Sequence, residues 1–492
     1  MDFEEASRRF FAGEVNPDLE LYYRYLPEGP SRHTARPWLG APPLASPAER
    51  NIRSTFPFRA LQLYPFTGEG VAEILEKLDK PVDFAVDFAV DPAAPLAACL
   101  LARSPEELER EIAAAKADIP RAVKAGVEWK TPGGSSFVAT PLGADGVAFV
   151  YPGIASPYPG LGSDLFTLSP PLLDRFETLA RGKAAHYLHV DEMYPVTPVD
   201  EAPFYRDVVM LGQCAISTSL IFTWLLREMF GIQPSAACGY SFGEAIMLTC
   251  LGVWPDPNEL ADNLDRIPTY RTRLQGPMDS IREQWNLPVG VPVGWDSWTV
   301  RTTAAAAFAA IRPEKNVFLC NINTPGEVVI AGEREGCKRA LERIGASVAS
   351  PVPIPVTMHC EATRGEYQNL VDIHTLTTAS VTDIQFYSSA TCRPMDFTVE
   401  SPAHTTAESY CRVVDFPRLI RNVYAGGPKI FIEAGGRRNC CTWIEKILRD
   451  RPHAAIPCDL KGQGSDRAML RALARLVSHR VPVNLTSLSE IR

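Results

Sequence analysis

The sequence lacks the features that mark several large classes of protein. Acidic residues outnumber basic ones, and the formal net charge of -9 argues against a nucleic-acid-binding protein, which needs a basic face. No apolar run approaches the length of about 18 residues that indicates a membrane span. The N-terminal residues MDFEE are acidic and have no apolar core, so they do not predict a signal peptide. We therefore expect a cytoplasmic protein with no membrane span and no nucleic-acid partner.

Paired cysteines are also missing. The 12 cysteines include no Cys-x-x-Cys pair, and most of them stand in apolar surroundings, for example Cys99, Cys214, Cys238, Cys250 and Cys320. Free, buried thiols in a reducing compartment are therefore expected, rather than disulfides or a metal site. Hydrophobic residues make up 46% of the chain and charged residues 22%, which is typical of a soluble globular protein.

The most informative stretch is CGYSFGE at residues 238–244, between an apolar segment and a run with helical spacing. A serine bracketed by two glycines between strand and helix is typical of a nucleophile elbow, whose turn leaves no room for side chains at the glycine positions. The Ser241 hydroxyl would lie at the positive end of the new helix, and the Phe242 N–H could stabilise an oxyanion. Glu244 is interpreted as a helix-capping residue. Because the pattern also occurs by chance, it needs support from elsewhere in the chain.

Strand-like and helical segments alternate along much of the chain. A strand at 146–151, a helix carrying 213–230 and the serine turn predict a mainly parallel sheet covered on both faces. Strand-like segments at 316–321 and 327–332, followed by a helical one at 335–344, predict a small inserted unit. We divide the chain into an N-terminal extension and Pro-rich linker (1–55), an α/β linker domain (56–140), the first part of a core (141–276), an inserted sheet-and-helix subdomain (277–357), and the second part of the core with a tail (358–492).

The linker domain has its own local signals. Residues 82–90 alternate between apolar and polar or small side chains like a strand, and 96–101 form a short apolar run. Ser104, Pro105 and Glu107 are the residues expected at the start of a helix, which we predict to reach about Ala117.

Several segments form a set with a distinctive order and spacing: YPGIAS at 151–156 with GLGSDLF at 160–166, the elbow at 239–244, NINTPGEVVIAG at 321–332 and FIEAG at 431–435. In order and rough spacing they resemble the malonyl-CoA:acyl carrier protein transacylases and the acyltransferase domains of polyketide synthases. The match runs from about residue 146 to 485, and the combination is far more specific than any single motif. The segments VYPG, GYSFGE and SHRVP are similar to acyltransferases of polyunsaturated-fatty-acid and related iterative polyketide synthases. Residues 56–130 resemble the linker that precedes such domains.

This resemblance implies a hydrolase-like parallel-sheet core with an inserted ferredoxin-like subdomain, preceded by the small α/β linker domain. It also implies acyl transfer from CoA to the phosphopantetheine thiol of an acyl carrier protein, with no metal and no permanently bound cofactor. Ser241 would be the nucleophile, and it needs a base because an unassisted hydroxyl is weakly nucleophilic at neutral pH. Among the eight histidines, His359 aligns with the family's catalytic base. The backbone N–H groups of Ile154 and Phe242 would form the oxyanion hole.

Two supporting residues follow from the same resemblance. Gln213 matches a family glutamine near the active site, where it is expected to hydrogen-bond to the elbow region. The family orients its catalytic histidine with a backbone carbonyl, and the match falls near Arg412.

The sequence departs from the family where the acyl group is selected. Ile154 replaces a glutamine, Tyr240 replaces the histidine before the serine, and VTM at 356–358 is unlike the family tetrapeptides for malonyl or methylmalonyl preference. Pro268 interrupts the helix that carries the carboxylate-binding arginine in malonyl enzymes. The possible equivalents are Arg266, Arg271 and Arg273. We therefore predict that an uncharged medium- or long-chain acyl-CoA reacts at least as fast as malonyl-CoA.

Partners and alternative functions remain open at this point. Residues 412–451 hold nine Lys and Arg against four Asp and Glu, so this segment, with Arg437 and Arg438, is a candidate docking face for an acidic carrier protein. An ordinary charged surface would have the same composition. Other synthase domains would be further partners. The same residues also fit an acyl-thioester hydrolase that uses the Ser-His pair, or a catalytically idle docking domain of a synthase.

Overall fold

The computed structural model describes residues 61–80, 90–180, 187–195, 201–202, 204–345, 349–354, 356–397, 401–486 and 488. The predicted extension and Pro-rich linker at 1–55, and nearly all of the strand-like segment at 82–90, lie outside the described residues.

The first described unit is a four-stranded antiparallel sheet with two helices. Its elements are β1 (Gln62–Gly68), α1 (Val71–Asp79), β2 (Leu96–Ala102), α2 (Pro105–Ala125), β3 (Trp129–Lys130) and β4 (Ser136–Phe137), in the strand order β1-β2-β4-β3. The Ser104 side chain caps α2 by accepting a hydrogen bond from the Glu107 N–H, as predicted. The helix continues past Ala117, through Pro120, because Ile119 and Ala122 are buried and their packing outweighs the cost of the proline.

The first part of the core carries the serine turn. Its elements are β5 (Val147–Tyr151), α3 (Leu165–Leu168), α4 (Pro170–Ala180), α5 (Val190–Met193), α6 (Val208–Trp224), β6 (Ala236–Gly239), α7 (Gly243–Cys250), α8 (Pro257–Arg266) and α9 (Asp279–Gln284). The carboxylate of Asp207 caps α6 by accepting hydrogen bonds from the N–H groups of Val209 and Met210. The helix then continues as a π-helical turn, Leu225–Met229.

Helix α6 with its π-helical turn corrects one expectation. The stretch Val208–Met229 has a mean hydropathy of 1.7 and is long and apolar enough to cross a membrane, so the expectation that no such run exists was wrong. However, 89% of the 18-residue segment to which this hydropathy refers is buried inside the protein, and the core helix of a soluble protein passes the same test. It is the single helix of this kind among the described residues.

The inserted unit follows with the element order strand–helix–strand–strand–helix–strand. Its elements are β7 (Trp295–Val300), α10 (Ala304–Ile311), β8 (Val317–Thr324), β9 (Glu327–Glu333), α11 (Arg334–Ile344) and β10 (Ala349–Pro351), in the antiparallel strand order β10-β7-β9-β8. Side chains alternate along β9, so Val328 and Ile330 pack against the two helices. Val329 and Ala331 face the other side of the sheet, towards the core.

The second part of the core completes both larger sheets. Its elements are α12 (Tyr367–His374), β11 (Gln385–Tyr387), α13 (Pro402–Tyr410), β12 (Val414–Asp415), α14 (Phe416–Ala425), β13 (Ile430–Glu433), α15 (Asn439–Ile447), β14 (Ala454–Pro457) and α16 (Ser465–Ser478). Strand β12 pairs in parallel with β8, so the sheet of the inserted unit ends in a strand from the core.

The main sheet contains five parallel strands in the order β11-β6-β5-β13-β14. Val147, Phe149 and Tyr151 of β5 face one hydrophobic cluster, whereas Ala148 and Val150 face another. Both faces are therefore covered, as predicted, and the chain is an α/β protein. The carboxyl ends of the adjacent strands β5 and β6 lie at one edge of the sheet, where ligand sites of parallel sheets are found.

Candidate active site

The serine turn is built by contact between the ends of β5 and β6. Ser241 has a left-handed backbone with φ of 59°, and the N–H of Tyr240 donates to the carbonyl of Tyr151 at 2.9 Å. A side chain at position 239 would overlap the backbone at Gly243, and one at position 243 would overlap the Tyr151 carbonyl. Both positions therefore require glycine, which is the steric reason for the sequence pattern.

Ser241 and His359 are hydrogen-bonded although they are 118 residues apart. The Oγ of Ser241 lies 2.6 Å from Nε2 of His359, and Nδ1 of the same ring lies 2.9 Å from the carbonyl oxygen of Ser409. A carbonyl can only accept, so Nδ1 carries the proton and Nε2 of the neutral ring accepts from the serine hydroxyl. This tautomer suits a base that takes the serine proton.

The carbonyl that orients His359 belongs to Ser409, not to Arg412. Ser409 lies in the last turn of α13, where helix carbonyls have no partner within the helix and can accept from another group. The side chain of Arg412 is instead exposed and ion-pairs with Glu408. Every residue type has a backbone carbonyl, so residue type does not identify this acceptor, and the sequence could locate it only approximately.

The environment of His359 keeps the ring neutral. Burial lowers the pKa of His359 to about 4, and the hydrogen bond to the Ser409 carbonyl opposes this shift only in part. The ring is therefore unprotonated at neutral pH, with Nε2 free to accept a proton from Ser241.

Two backbone donors adjoin the serine. The N–H groups of Ile154 and Phe242 make no hydrogen bond with any residue that the structure describes. Ile154 and Ser241 line the same cavity, and Phe242 directly follows the serine at the start of α7. Free N–H groups at such a position could bind a negatively charged oxygen.

Ser241 opens into a cavity of about 320 Å³ between the core and the inserted unit. None of the described residues that line it is Lys, Arg, Asp or Glu. Its wall contains the loop after β5, the elbow, one face of the inserted sheet and the residues before His359. The lining side chains include Ile154, Tyr240, Ser297, Thr299, Cys320, Asn323, Val329, Val356, Met358 and Trp443. Sequence analysis did not identify Asn323 or Trp443, although Asn323 belongs to the NINTPGEVVIAG segment.

None of the three candidate arginines reaches this cavity. Arg266 donates to the side chain of Asn263 at 2.8 Å, and Arg271 ion-pairs with Asp265 at 2.6 Å. Arg273 donates to Glu283 and to the buried Glu366 at 2.7–2.9 Å, and these carboxylates raise its pKa above the ordinary value. All three guanidinium groups therefore have partners outside the cavity.

Gln213 and Glu244 also have partners that differ from the prediction. The Gln213 carbonyl oxygen lies 2.6 Å from Nε2 of His189, and its amide donates to the Ala261 carbonyl, so Gln213 joins neighbouring helices rather than the elbow. The buried carboxylate of Glu244 accepts hydrogen bonds from the N–H and the hydroxyl of Ser389. Glu244 lies in the first turn of α7 and makes this tertiary contact from there.

Arg437 and Arg438 follow the cavity-lining Gly436. Arg437 donates to the hydroxyl of Tyr205 at 2.6 Å, and Arg438 lies 3.3 Å from the carboxylate of Glu445.

All twelve cysteines are free and buried. Within the described part of the chain, no group of three His, Cys, Asp or Glu is placed to hold a metal ion.

Relatives of known function share both sequence and fold with this chain. It is 28% identical over 413 residues to one subunit of the polyunsaturated fatty acid synthase of a Thraustochytrium species, covering 78% of the chain and 20% of that protein. It is 27% identical over 216 residues to the malonyl CoA-acyl carrier protein transacylase of Escherichia coli K12, covering 43% of the chain and 64% of the relative. The acyltransferase domain from module 8 of the salinomycin polyketide synthase has a TM-score of 0.65 at 17% identity, with 86% of this chain and 98% of that domain covered.

The shared fold defines the class of protein, an α/β acyltransferase fold. The predicted resemblance to the acyltransferase family, as in malonyl-CoA transacylases and in polyketide and polyunsaturated-fatty-acid synthases, is confirmed by these relatives. No family model matches the chain. The chain spans less than two thirds of the length of either curated relative.

Proposed function

We propose that this chain is a serine acyltransferase that moves an acyl group from CoA to the phosphopantetheine thiol of an acyl carrier protein. The single observation that carries the proposal is the hydrogen bond of 2.6 Å between Ser241 Oγ and His359 Nε2, with the ring tautomer fixed by Ser409. A nucleophile, a base and a group that orients the base are the three parts that serine-based acyl transfer requires.

In the first half of the reaction, Nε2 of His359 takes the hydroxyl proton as Ser241 Oγ attacks the thioester carbonyl. The carbonyl oxygen becomes negatively charged and is stabilised by the N–H groups of Ile154 and Phe242. As the carbon–sulfur bond breaks, His359 returns the proton to the departing CoA thiolate. The products are an ester on Ser241 and free CoA.

In the second half, the carrier thiol repeats these steps in reverse. His359 accepts the thiol proton, the sulfur attacks the serine ester, and the proton returns to Ser241 Oγ. This scheme uses CoA and phosphopantetheine as substrates and requires no permanently bound cofactor or metal.

The biological setting belongs to the same proposal. The names of the relatives support a role in polyketide or polyunsaturated-fatty-acid biosynthesis, with an acyl carrier protein and other synthase domains as partners. The segment around Arg437 and Arg438 is the proposed docking face for the carrier. The twelve free, buried thiols support a reducing, cytoplasmic location.

The element order and the strand order β10-β7-β9-β8 of the inserted unit support its assignment as a ferredoxin-like subdomain.

We further propose that the acyl group is uncharged. A carboxylate buried without a cationic partner costs several kcal/mol, roughly, and none of the described residues lining the cavity carries a positive charge. Because Arg266, Arg271 and Arg273 all have partners elsewhere, a malonyl group would enter without a counter-ion.

Intact-mass analysis after incubation with a panel of acyl-CoAs tests this function. Wild-type protein should gain the mass of one acyl group, and Ser241→Ala should gain none. Ser297→Ala is the matched control, because Ser297 lines the same cavity but is not one of the described hydrogen-bond partners of the His359 ring, which are Ser241 and Ser409. Acylation of Ser241→Ala to the wild-type extent would place the nucleophile elsewhere. Addition of a holo-carrier protein to the isolated acyl-enzyme then distinguishes transfer from hydrolysis.

A further inference from the structure

The cavity wall next to Ser241 contains a chain of hydrogen bonds that ends in a carboxylate. The hydroxyl of Tyr240 donates to Oδ1 of Asn323 at 2.7 Å, and Nδ2 of Asn323 donates to Oε1 of Glu327 at 3.1 Å. The indole N–H of Trp443 donates to the same Glu327 oxygen at 3.0 Å. Tyr240, Asn323 and Trp443 all line the cavity, whereas Glu327 does not line it and contacts it through its hydrogen bonds to Asn323 and Trp443.

The chemistry of the carboxylate fixes the direction of every bond in this chain. An ionised carboxylate can only accept, so Asn323 presents its NH₂ group to Glu327 and its carbonyl to Tyr240. The Tyr240 hydroxyl must then donate to Asn323, and its proton is not available to an oxyanion at Ser241. The ring of Tyr240 is held by contacts with Phe416 and Trp443, at centroid distances of 5.4 Å and 4.8 Å.

The charge of Glu327 is not neutralised locally. Within the described part of the chain, no Lys or Arg lies at ion-pair distance from Glu327. The two arginines that follow the cavity-lining Gly436 have other partners, Arg437 at Tyr205 and Arg438 at Glu445. The lining of the cavity is thus uncharged, and the part-buried carboxylate of Glu327 is hydrogen-bonded to two of its side chains, Asn323 and Trp443, through which its field can act on a bound acyl group.

We propose that Glu327 is a specificity-determining residue that excludes carboxylated acyl groups from the cavity. Its negative charge, held by hydrogen bonds from Asn323 and Trp443, raises the free energy of a malonyl-type carboxylate near Ser241 and leaves an uncharged acyl chain unaffected. This inference rests on the proposed acyl transfer at Ser241 and adds a repulsive element to the absence of a cation. Discrimination between substrates commonly combines both kinds of element.

Competition labelling tests the inference. Wild-type protein and Glu327→Gln are incubated with equal concentrations of malonyl-CoA and hexanoyl-CoA, and the two serine esters are quantified by intact mass. Glutamine keeps the shape and the acceptor oxygen but removes the charge. We expect the malonyl-to-hexanoyl ratio to rise about tenfold, as expected for loss of one nearby charge at an effective dielectric constant of about 20.

Two further variants separate charge from structure. Glu342→Gln removes a carboxylate from the exposed surface of the same inserted unit and should leave the ratio unchanged. Trp443→Phe removes one hydrogen bond to Glu327 but keeps its charge, so it should not favour malonyl. If the malonyl-to-hexanoyl ratio rises as much in Trp443→Phe as in Glu327→Gln, the change results from loosened packing and not from loss of charge, and the proposal is overturned.

The outcomes also separate this inference from the proposed function. If no acyl-CoA labels Ser241 in the wild-type protein, the proposed function fails. If the wild-type serine is labelled but Glu327→Gln changes the ratio no more than Glu342→Gln does, the proposed function stands and the role of Glu327 is rejected. Hexanoyl labelling of Glu327→Gln serves as an internal check that the variant is folded.

Discussion

Ser241 and His359 meet from two left-handed backbone positions, with φ of 59° at the serine and 62° at the histidine. A residue other than glycine in this conformation costs about 1–2 kcal/mol, so the surrounding structure must hold both in place. At His359, the backbone N–H donates to the Tyr410 carbonyl at 2.6 Å while the ring donates to the preceding carbonyl, that of Ser409. The end of α13 thus fixes both the backbone and the side chain of this residue.

Replacing His359 with alanine should slow acylation of Ser241 by at least about a hundredfold, the lower end of what general-base catalysis supplies. Single-turnover rates and melting temperatures are to be compared for each variant. His374→Ala is the matched control, because His374 is also buried and also contacts the ring of Tyr410 but does not contact Ser241. It should lose stability and keep its rate per folded molecule. Equal rate losses in the two variants would mean that His359 has only a structural role.

The acylation rate should show little dependence on pH between about 5 and 8. The pKa of His359 is lowered to about 4 by burial, so the ring stays neutral over this range and loses its function as a base only at lower pH. A single-turnover pH profile checks this. A rate that halves near pH 6.5 would indicate a histidine with an ordinary pKa.

Stability should fall as the solution becomes acidic. Burial lowers the pKa of His359, His374 and His479 to about 4, below the value of about 6.5 expected in the unfolded chain. Between these pKa values the unfolded chain binds more protons than the folded chain. The free energy of unfolding therefore has its full value above about pH 6.5 and decreases as pH falls towards 4. Urea unfolding at several pH values measures the slope. In His374→Phe the free energy of unfolding should change less steeply with pH. An unchanged slope would contradict the lowered pKa of His374.

Arg273 should matter for stability and not for substrate choice. Its guanidinium group holds Glu366, whose side chain is only 1% exposed, and loss of these bonds should cost about 2 kcal/mol. Arg273→Ala should therefore melt at a lower temperature and keep the malonyl-to-hexanoyl labelling ratio of the wild type. Arg266→Ala, at an exposed position, should change neither property. A malonyl preference that disappears in one of these variants would identify a malonyl transferase.

Gly243→Ala should disrupt the serine turn. The added methyl group would overlap the carbonyl of Tyr151 at the end of β5, and relief of such an overlap should cost about 2 kcal/mol or more. Gly326→Ala is the control, since a side chain there meets no atom within 4 Å. Thermal melting and Ser241 labelling measure the effect. If both variants behave like the wild type, the turn is less tight than the structure indicates.

Part of this arrangement could be predicted because it depends on residue type. The glycines at 239 and 243 identify the turn, because only glycine fits there. The strands now seen as β5, β8 and β9 and the helix α11 were predicted within a few residues, since strands with largely apolar sequences and a helix with a buried face have clear patterns.

The remainder depends on backbone groups and on distant contacts. Ser409 acts through its carbonyl oxygen, which any residue possesses, so the alignment that pointed near Arg412 could not fix the position. Gln213 binds His189, and Glu244 binds Ser389. These partners are distant in sequence, so no local sequence pattern predicts the contacts. Glu327 gains its significance only through Asn323 and Trp443, which come from different parts of the fold.

The pairing of β12 with β8 bears on any attempt to divide the protein. Val414 and Asp415 cover the edge of β8 at Asn321 and Ile322 with a strand from a distant part of the chain. A fragment limited to the inserted unit would expose the N–H and carbonyl groups of that edge, which is a template for aggregation. Excision or transplantation of this unit therefore requires the β12 segment to be carried with it, or a charged residue or proline to protect the uncovered strand.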